Sequence, residues 1–507
     1  MTTDHLFAAL EQADAIERRR ILRDLPPTND PATLGLIARR LSDPSTAVCE
    51  AAIEALTRHG GHDAAEAAAP GLRSNDPAQR GYAVDALIRL GSDAIPTMTT
   101  LLADPDHDVR KYAAEALATV GDQRAVAALG VLLEDRDVTV AAAAAEALGL
   151  LGLPDAIPAL AEVARDGLDW LRVAAIFGLG EIGGPDALAH ICATPLEAPF
   201  PVLASAVEAV GRAASAEPAR ALAFLAELVA DDDRALTDLA LRALGSVLDL
   251  QPSLSVPQPT RQTLARVARL RLSSPDPQLR AASARCFGAV PEAASPEGVA
   301  MLRVLLASDG ETSVRLEALR ALASTGGVTS TTLVGLAADE GEDSDFRVAA
   351  LRLLTSHADR SGPDVVRLLV RVVTAAEQPL VRAAALRALL QVESTEALRH
   401  GLDVLDDEGV RDDEPAVAEL SACPVEARLA LAWKALDEAT PATRRWTFTS
   451  LLPVSRASDV RAADGGPNLL ARAALDDDRS VRAHALRLLD DDRDVARLGQ
   501  ELTRSLA

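Results

Sequence analysis

Lysine is almost missing from this chain: Lys111 and Lys434 are the only two, so nearly all of its positive charge is arginine, a composition that a GC-rich genome or a saline cytoplasm would each produce. Aromatic residues make up 2% of the sequence, which leaves few rings to line a cofactor pocket or to stack on nucleic-acid bases. The four cysteines, Cys49, Cys192, Cys286 and Cys423, are far apart and form no C-x-x-C pair, so they read as buried reduced thiols rather than a disulfide or zinc framework. No run of about 18 apolar residues and no charged-then-apolar leader occurs, and a cytoplasmic protein without membrane contact is expected. Basic residues number 51 against 75 acidic ones, and the resulting charge of −24 argues against nonspecific binding to nucleic acid. Phosphate-binding glycine loops, a G-x-S-x-G elbow and a calcium-loop pattern are also missing, so no catalytic, cofactor or metal-ligating residues are expected.

What is present is a register. From Leu56, steps of 31, 30, 31, 31 and 31 lead to Leu87, Leu117, Leu148, Leu179 and Val210, and Gly60, Gly91, Gly121, Gly152 and Gly183 stand four residues after the first five. Each unit reads as a helix, an Asp-containing bend and a second helix closed by glycine. A two-helix unit cannot bury its apolar stripe alone, so units must stack. Beyond Val210 the register continues through Leu244, Phe287, Leu322, Leu354 and Leu389 with uneven spacing. The predicted organisation is a capping segment over 1–30 with one helix at 4–24, regular repeats over 31–250, a Pro-containing insertion at 251–262, repeats with variable loops over 263–395, and degenerate repeats over 396–507. Within the last stretch, Thr440-Pro441 predicts a helix start, and a terminal helix is expected from about 493 to 506. Acid clusters such as 231–233, 406–414 and 476–478 read as solvated turns and helix caps.

Seven positions before the register residue stand Arg80, Arg110, Arg172, Arg280, Arg315, Arg347, Arg382 and Arg482. The string D...VR..A..AL..G that they complete resembles the HEAT repeat, in particular the short variety of phycobilisome-lyase-type proteins. The resemblance implies an all-α superhelical solenoid of about 12 to 14 two-helix repeats, with the second helices lining the concave face. It also implies that these arginines tether repeats by pairing with the bend aspartates, as Asp104 with Arg110, Asp309 with Arg315 and Asp476 with Arg482. Among HEAT-type enzymes, deoxyhypusine hydroxylase holds iron through His-Glu dipeptides, and no histidine here is followed by Glu. HEAT-like DNA glycosylases use a basic groove with aromatic contacts, which this composition does not supply. Bilin lyase activity is the enzymatic alternative, with no residue assigned to it.

A second column lies two positions before the register residue. At about 100° per residue it falls opposite the core positions and faces solvent. It reads Glu54, Asp85, Glu115, Glu146, Phe177 and Glu208, then Arg242, Arg285, Arg320, Arg352 and Arg387, with Arg487 in the last repeat. Local pairs four residues apart (Glu54–Arg58, Asp85–Arg89, Glu208–Arg212) account for much of the acidic half. Arg285, Arg352 and Arg387 have no acid three or four residues away, whereas Arg320 has Glu317. Two readings stand for the arginines: a basic strip (Arg285, Arg320, Arg352, Arg387) for an acidic segment of a protein partner, or an inheritance of repeat duplication. Phe177, with Val173 one turn before it and Trp170 near the helix start, is either an apolar anchor for that partner or core. The function expected from the groove is a non-enzymatic scaffold or adaptor.

Overall fold

The computed structural model describes residues 3–229, 234–251, 253–355, 362–392, 394–453 and 457–489. Helices follow one another throughout, and no strand occurs among the described residues. The acid cluster at 231–233 and the expected terminal helix at 493–506 lie outside the described residues. The chain forms two compact units, Met1–Ala268 and Arg269–Ala507.

Within each unit the helices come as pairs joined by short bends, which fold each second helix back along its first. His107–Val120 shows how the sequence builds one. Asp104 accepts the amide of Asp106 at 3.0 Å, and Asp106 caps the helix by accepting the amide of Asp108 at 3.0 Å. The two aspartates of the bend thus do different things: the first shapes the turn and the second closes the helix start. The helix ends at Gly121, whose φ of 75° is the left-handed conformation that glycine adopts without a Cβ penalty. Val109, Ala113, Ala114, Ala116 and Leu117 are buried on one side, and Glu115 is exposed on the other.

The start of the chain differs from the expected single helix. Thr3–Gln12 and Ala15–Asp24 are separate, because Asp14 accepts the amide of Glu17 at 2.9 Å and begins a new helix. The segment expected as an insertion at 251–262 is shorter than expected: Gln258–Arg271 is already helical, since Pro259 suits a first turn. Val256 just before it is buried, and Arg261 Nε donates to its carbonyl at 2.7 Å. The stretch where the sequence pattern degrades is nonetheless paired helices. Thr440 caps Pro441–Trp446, which runs into one π-helical turn, Thr447–Leu451. Phe448 and Leu452 pack there on Leu429, Val460, Leu469 and Leu488.

Candidate partner-binding surface

Two columns of side chains run over the second helices, and the structure gives them different work. Five of the eight arginines seven before the register residue, Arg110, Arg280, Arg315, Arg347 and Arg382, are spent on stacking. Arg110 grips Asp135 of the following repeat with two hydrogen bonds of 2.8 Å, while its other nitrogen donates to the carbonyl of Asp104 at 2.8 Å. Arg280 does the same with Asp309 (2.8 and 2.9 Å) and the Ser274 carbonyl. Arg18 with Asp43, Arg315 with Glu342, Arg382 with Asp407 and Arg444 with Asp476 extend the series. This corrects the expected pairs Asp104–Arg110, Asp309–Arg315 and Asp476–Arg482, each of which lies within one repeat. The carboxylate of a bend faces the repeat before it, so an arginine reaches only the main-chain carbonyls of its own bend. Arg482 accordingly donates to the carbonyls of Asp476 and Asp477. Burial would raise the carboxyls of Asp43 and Asp135, but the Arg18 and Arg110 bonds, with the amides of Ser45 and Asp137, hold both below the usual range. At Asp309 the Arg280 bonds dominate, with the same result.

The column two before the register residue is the candidate surface. In the first unit Glu54, Glu115, Glu146 and Glu208 are exposed and Asp85 and Phe177 are half-buried. Asp85 and Arg89 pair as expected, at 3.0 Å. Glu54 and Glu208 do not pair with the arginines four residues on. Glu54 stands 3.5 Å from Arg23, and Arg58 donates to the carbonyls of Arg23 and Leu25 instead. Arg212 lies 3.2 Å from Glu181 and places its guanidinium 4.8 Å above the Phe177 ring. Glu146 and Glu208 carry no ion pair among the described residues. Partial burial raises the Glu115 carboxyl, Lys111 opposes this, and the charge of Glu146 on the next helix adds to it.

In the second unit the basic strip is not without counter-ions, contrary to expectation. Arg285 Nε donates to Glu317 at 3.0 Å and Arg320 to the other oxygen of Glu317 at 2.7 Å. Arg352 meets Glu419 at 2.7 and 3.1 Å, and Arg387 takes the other oxygen of Glu419 at 2.8 Å. Both glutamates are buried, with side chains 5% and 4% exposed. Three of these four arginines draw their counter-ion from another helix, which a search within a single helix does not reach. In the second cluster two cations meet one anion, and in both clusters the exposed member, Arg320 or Arg352, stands outward. The structure therefore brings Arg285 together with Arg320, and Arg352 with Arg387, as two clusters. Cys286 and Cys423 are buried, which pushes both thiols up to about 12.

Val173 and Phe177 share the outward side of Asp169–Ile182 with Trp170, and the Val173 carbonyl accepts from Ser205 Oγ of the next second helix at 3.1 Å. Sequence reasoning missed Val138, Leu168 and Phe200, all exposed and all at the starts of successive second helices. Their common place at the helix start was the available signal.

Among the described residues no three His, Cys, Asp or Glu side chains converge on a metal-sized site, and no helix is long and apolar enough to cross a membrane. A family model described as HEAT repeats matches residues 65–135, 128–211 and 265–343. No curated protein matches the chain. Among solved structures, a chain from the complex in which Kap95p binding induces the switch loops of RanGDP to adopt the GTP-bound conformation is similar at 14% identity, with a TM-score of 0.49, over 97% of this chain and 77% of that one. That degree of likeness assigns no function. The three matched stretches carry HEAT repeats, and paired helices continue beyond them among the described residues. The matched model is that of HEAT repeats as such, and the lyase-type variety stays a resemblance.

Proposed function

We propose that the chain is a non-enzymatic cytoplasmic scaffold that holds a protein partner along the outward faces of its second helices. The supporting observation is the division of labour between the two columns: one is consumed in stacking, and the other keeps charged and aromatic side chains at a fixed register for binding. In the second unit the partner segment is acidic. It docks on the outward arginines of the Arg285–Glu317–Arg320 and Arg352–Glu419–Arg387 clusters, where the exposed forks of Arg320 and Arg352 suit carboxylates. Such a strip sets association rate and salt sensitivity more than affinity. The test is cross-linking of the partner captured in native cells, followed by mapping of the linked residues. Links should concentrate on second helices, and Arg320→Ala with Arg352→Ala should slow association at low salt. Links confined to first helices would overturn the reading. So would covalent, time-dependent attachment when the protein is mixed with phycocyanobilin and an apo-phycobiliprotein, which would favour the bilin-lyase alternative.

A further inference from the structure

The first unit carries a surface of another kind, on the second helices Val138–Leu151, Asp169–Ile182 and Phe200–Ala213, which pack side by side. Counted from the register residues Leu148, Leu179 and Val210, Val138 and Phe200 stand ten positions before and Trp170 nine before. Val173 stands six before, and Glu146, Phe177 and Glu208 two before. At about 100° per residue all of these fall on the side away from the core. Val138, Trp170 and Phe200 are 50%, 38% and 44% exposed, and Leu168, next to Trp170, is 66% exposed. The outward face of this three-helix layer thus carries an apolar row at its N-terminal end, where the one acid on the middle helix, Asp169, is paired with Arg172 at 3.4 Å, and glutamates across its C-terminal half. The charge of Glu146 and Glu208 is left over, since neither has an ion pair among the described residues. The negative ends of the three helix dipoles lie on the same acidic side.

We infer that this face binds an amphipathic helix with a basic flank, laid across the three second helices so that its apolar stripe covers Val138, Leu168, Trp170 and Phe200 and its cations meet Glu146 and Glu208. The dimensions agree. Eight residues separate the two rows along the outer two helices and seven along the middle one, about 10–12 Å at 1.5 Å per residue, and an α-helix with side chains is about 10–12 Å wide. Three helices spaced about 8–10 Å apart span about 16–20 Å, the length of roughly 11–13 helical residues. Charge complementarity selects the occupant: a lysine- or arginine-flanked helix neutralises the two glutamates, and an acidic one is repelled. Phe177 stands in the glutamate row, between Glu146 and Glu208 and under Arg212, so the middle of that row is aromatic and adds no net charge, Arg212 being balanced by Glu181.

This inference rests on the scaffold reading and assigns the first unit its own kind of partner. The probe is a 14-residue model helix with a leucine stripe flanked by lysines, titrated calorimetrically into the whole protein. A second peptide has the same stripe flanked by glutamates. The lysine peptide should bind and the glutamate peptide should not. Trp170→Ser with Phe200→Ser, and separately Glu146→Gln with Glu208→Gln, should each weaken binding at least tenfold. All four side chains lie outside the core, so circular dichroism should stay unchanged. Undiminished binding by the Trp170/Phe200 variant would overturn the inference, because the peptide would then be responding only to the overall negative charge. Equal binding of both peptides would overturn it as well. Failure of the lysine peptide while a native partner still cross-links to second helices would remove this inference and leave the scaffold reading standing.

Discussion

The second helices on either side of residue 135 are stacked by different physics. At Arg18, Arg110, Arg280, Arg315, Arg382 and Arg444 a guanidinium reaches forward into the carboxylate of the next bend. Between Val138 and Ala213 this contact is missing. Ala141 and Leu203 occupy arginine positions, and Arg172 turns back to the Ala164 carbonyl and Asp169. Backbone contact takes its place. A Cβ on Gly149 would lie 2.5 Å from the Cα of Gly178, and one on Gly180 would lie 2.8 Å from the Cβ of Ala209. One mode is directional and depends on protonation, whereas the other depends on shape alone. The apolar outward face described above lies where the stack has given up its arginines.

The comparison breaks hardest at Arg110. Its side chain and that of Asp135 are 5% and 9% exposed, so Arg110→Ala strands a buried carboxylate and should cost about 3–5 kcal/mol in chemical denaturation. A loss below about 1 kcal/mol would mean that the ladder is incidental to stacking. In the glycine-stacked region Gly149→Ala should destabilise by about 1–3 kcal/mol through overpacking, even though alanine is the better helix former by about 1 kcal/mol. A gain in melting temperature would refute the close contact.

Acid should separate the two regions without any mutation. Asp43, Asp135 and Asp309 titrate below their ordinary value when folded, so their contribution is present above about pH 4, where the unfolded carboxylate is ionised, and is lost as pH falls through the depressed folded value. Hydrogen exchange on lowering the pH below 4 should therefore open His107–Val120 and Pro277–Gly288 before Asp169–Ile182. Simultaneous loss of protection would show that the ladder does not set local stability. The smallest effect is expected at Arg320, whose half-exposed side chain shares Glu317 with Arg285. Arg320→Ala should change stability by only about 0–1 kcal/mol, as measured by thermal melting.

The register, the capped bends and the helix start at Thr440-Pro441 were legible because each is written within a few residues. Asp14 and Glu17 held the same kind of signal, an acid cap three residues ahead of a glutamate, though the apolar pattern read straight through it. The ion pairs between repeats were not legible. Arg110 and Asp135 are 25 residues apart and Arg285 and Glu317 are 32 apart, so each pairing is set by how one helix pair lies on the next and not by any spacing within a helix. For the same reason the outward arginines read as unneutralised. Glu317 and Glu419 are buried beside them, and only the stacked arrangement brings each glutamate to two arginines.

Forward pairing also gives the chain a direction in time. During synthesis Arg18 emerges 25 residues before Asp43, and Arg280 emerges 29 before Asp309. In the ladder stretches, a growing polypeptide that has just completed a second helix carries near the start of that helix a guanidinium whose acceptor has not yet been made. Its newest helix pair is held only by its apolar face until the next bend appears, so stacking is sealed one repeat behind the ribosome. Between residues 138 and 213 no such delay applies: glycine and alanine contacts close as soon as neighbouring helices meet, so this stretch can dock without waiting for a later charge.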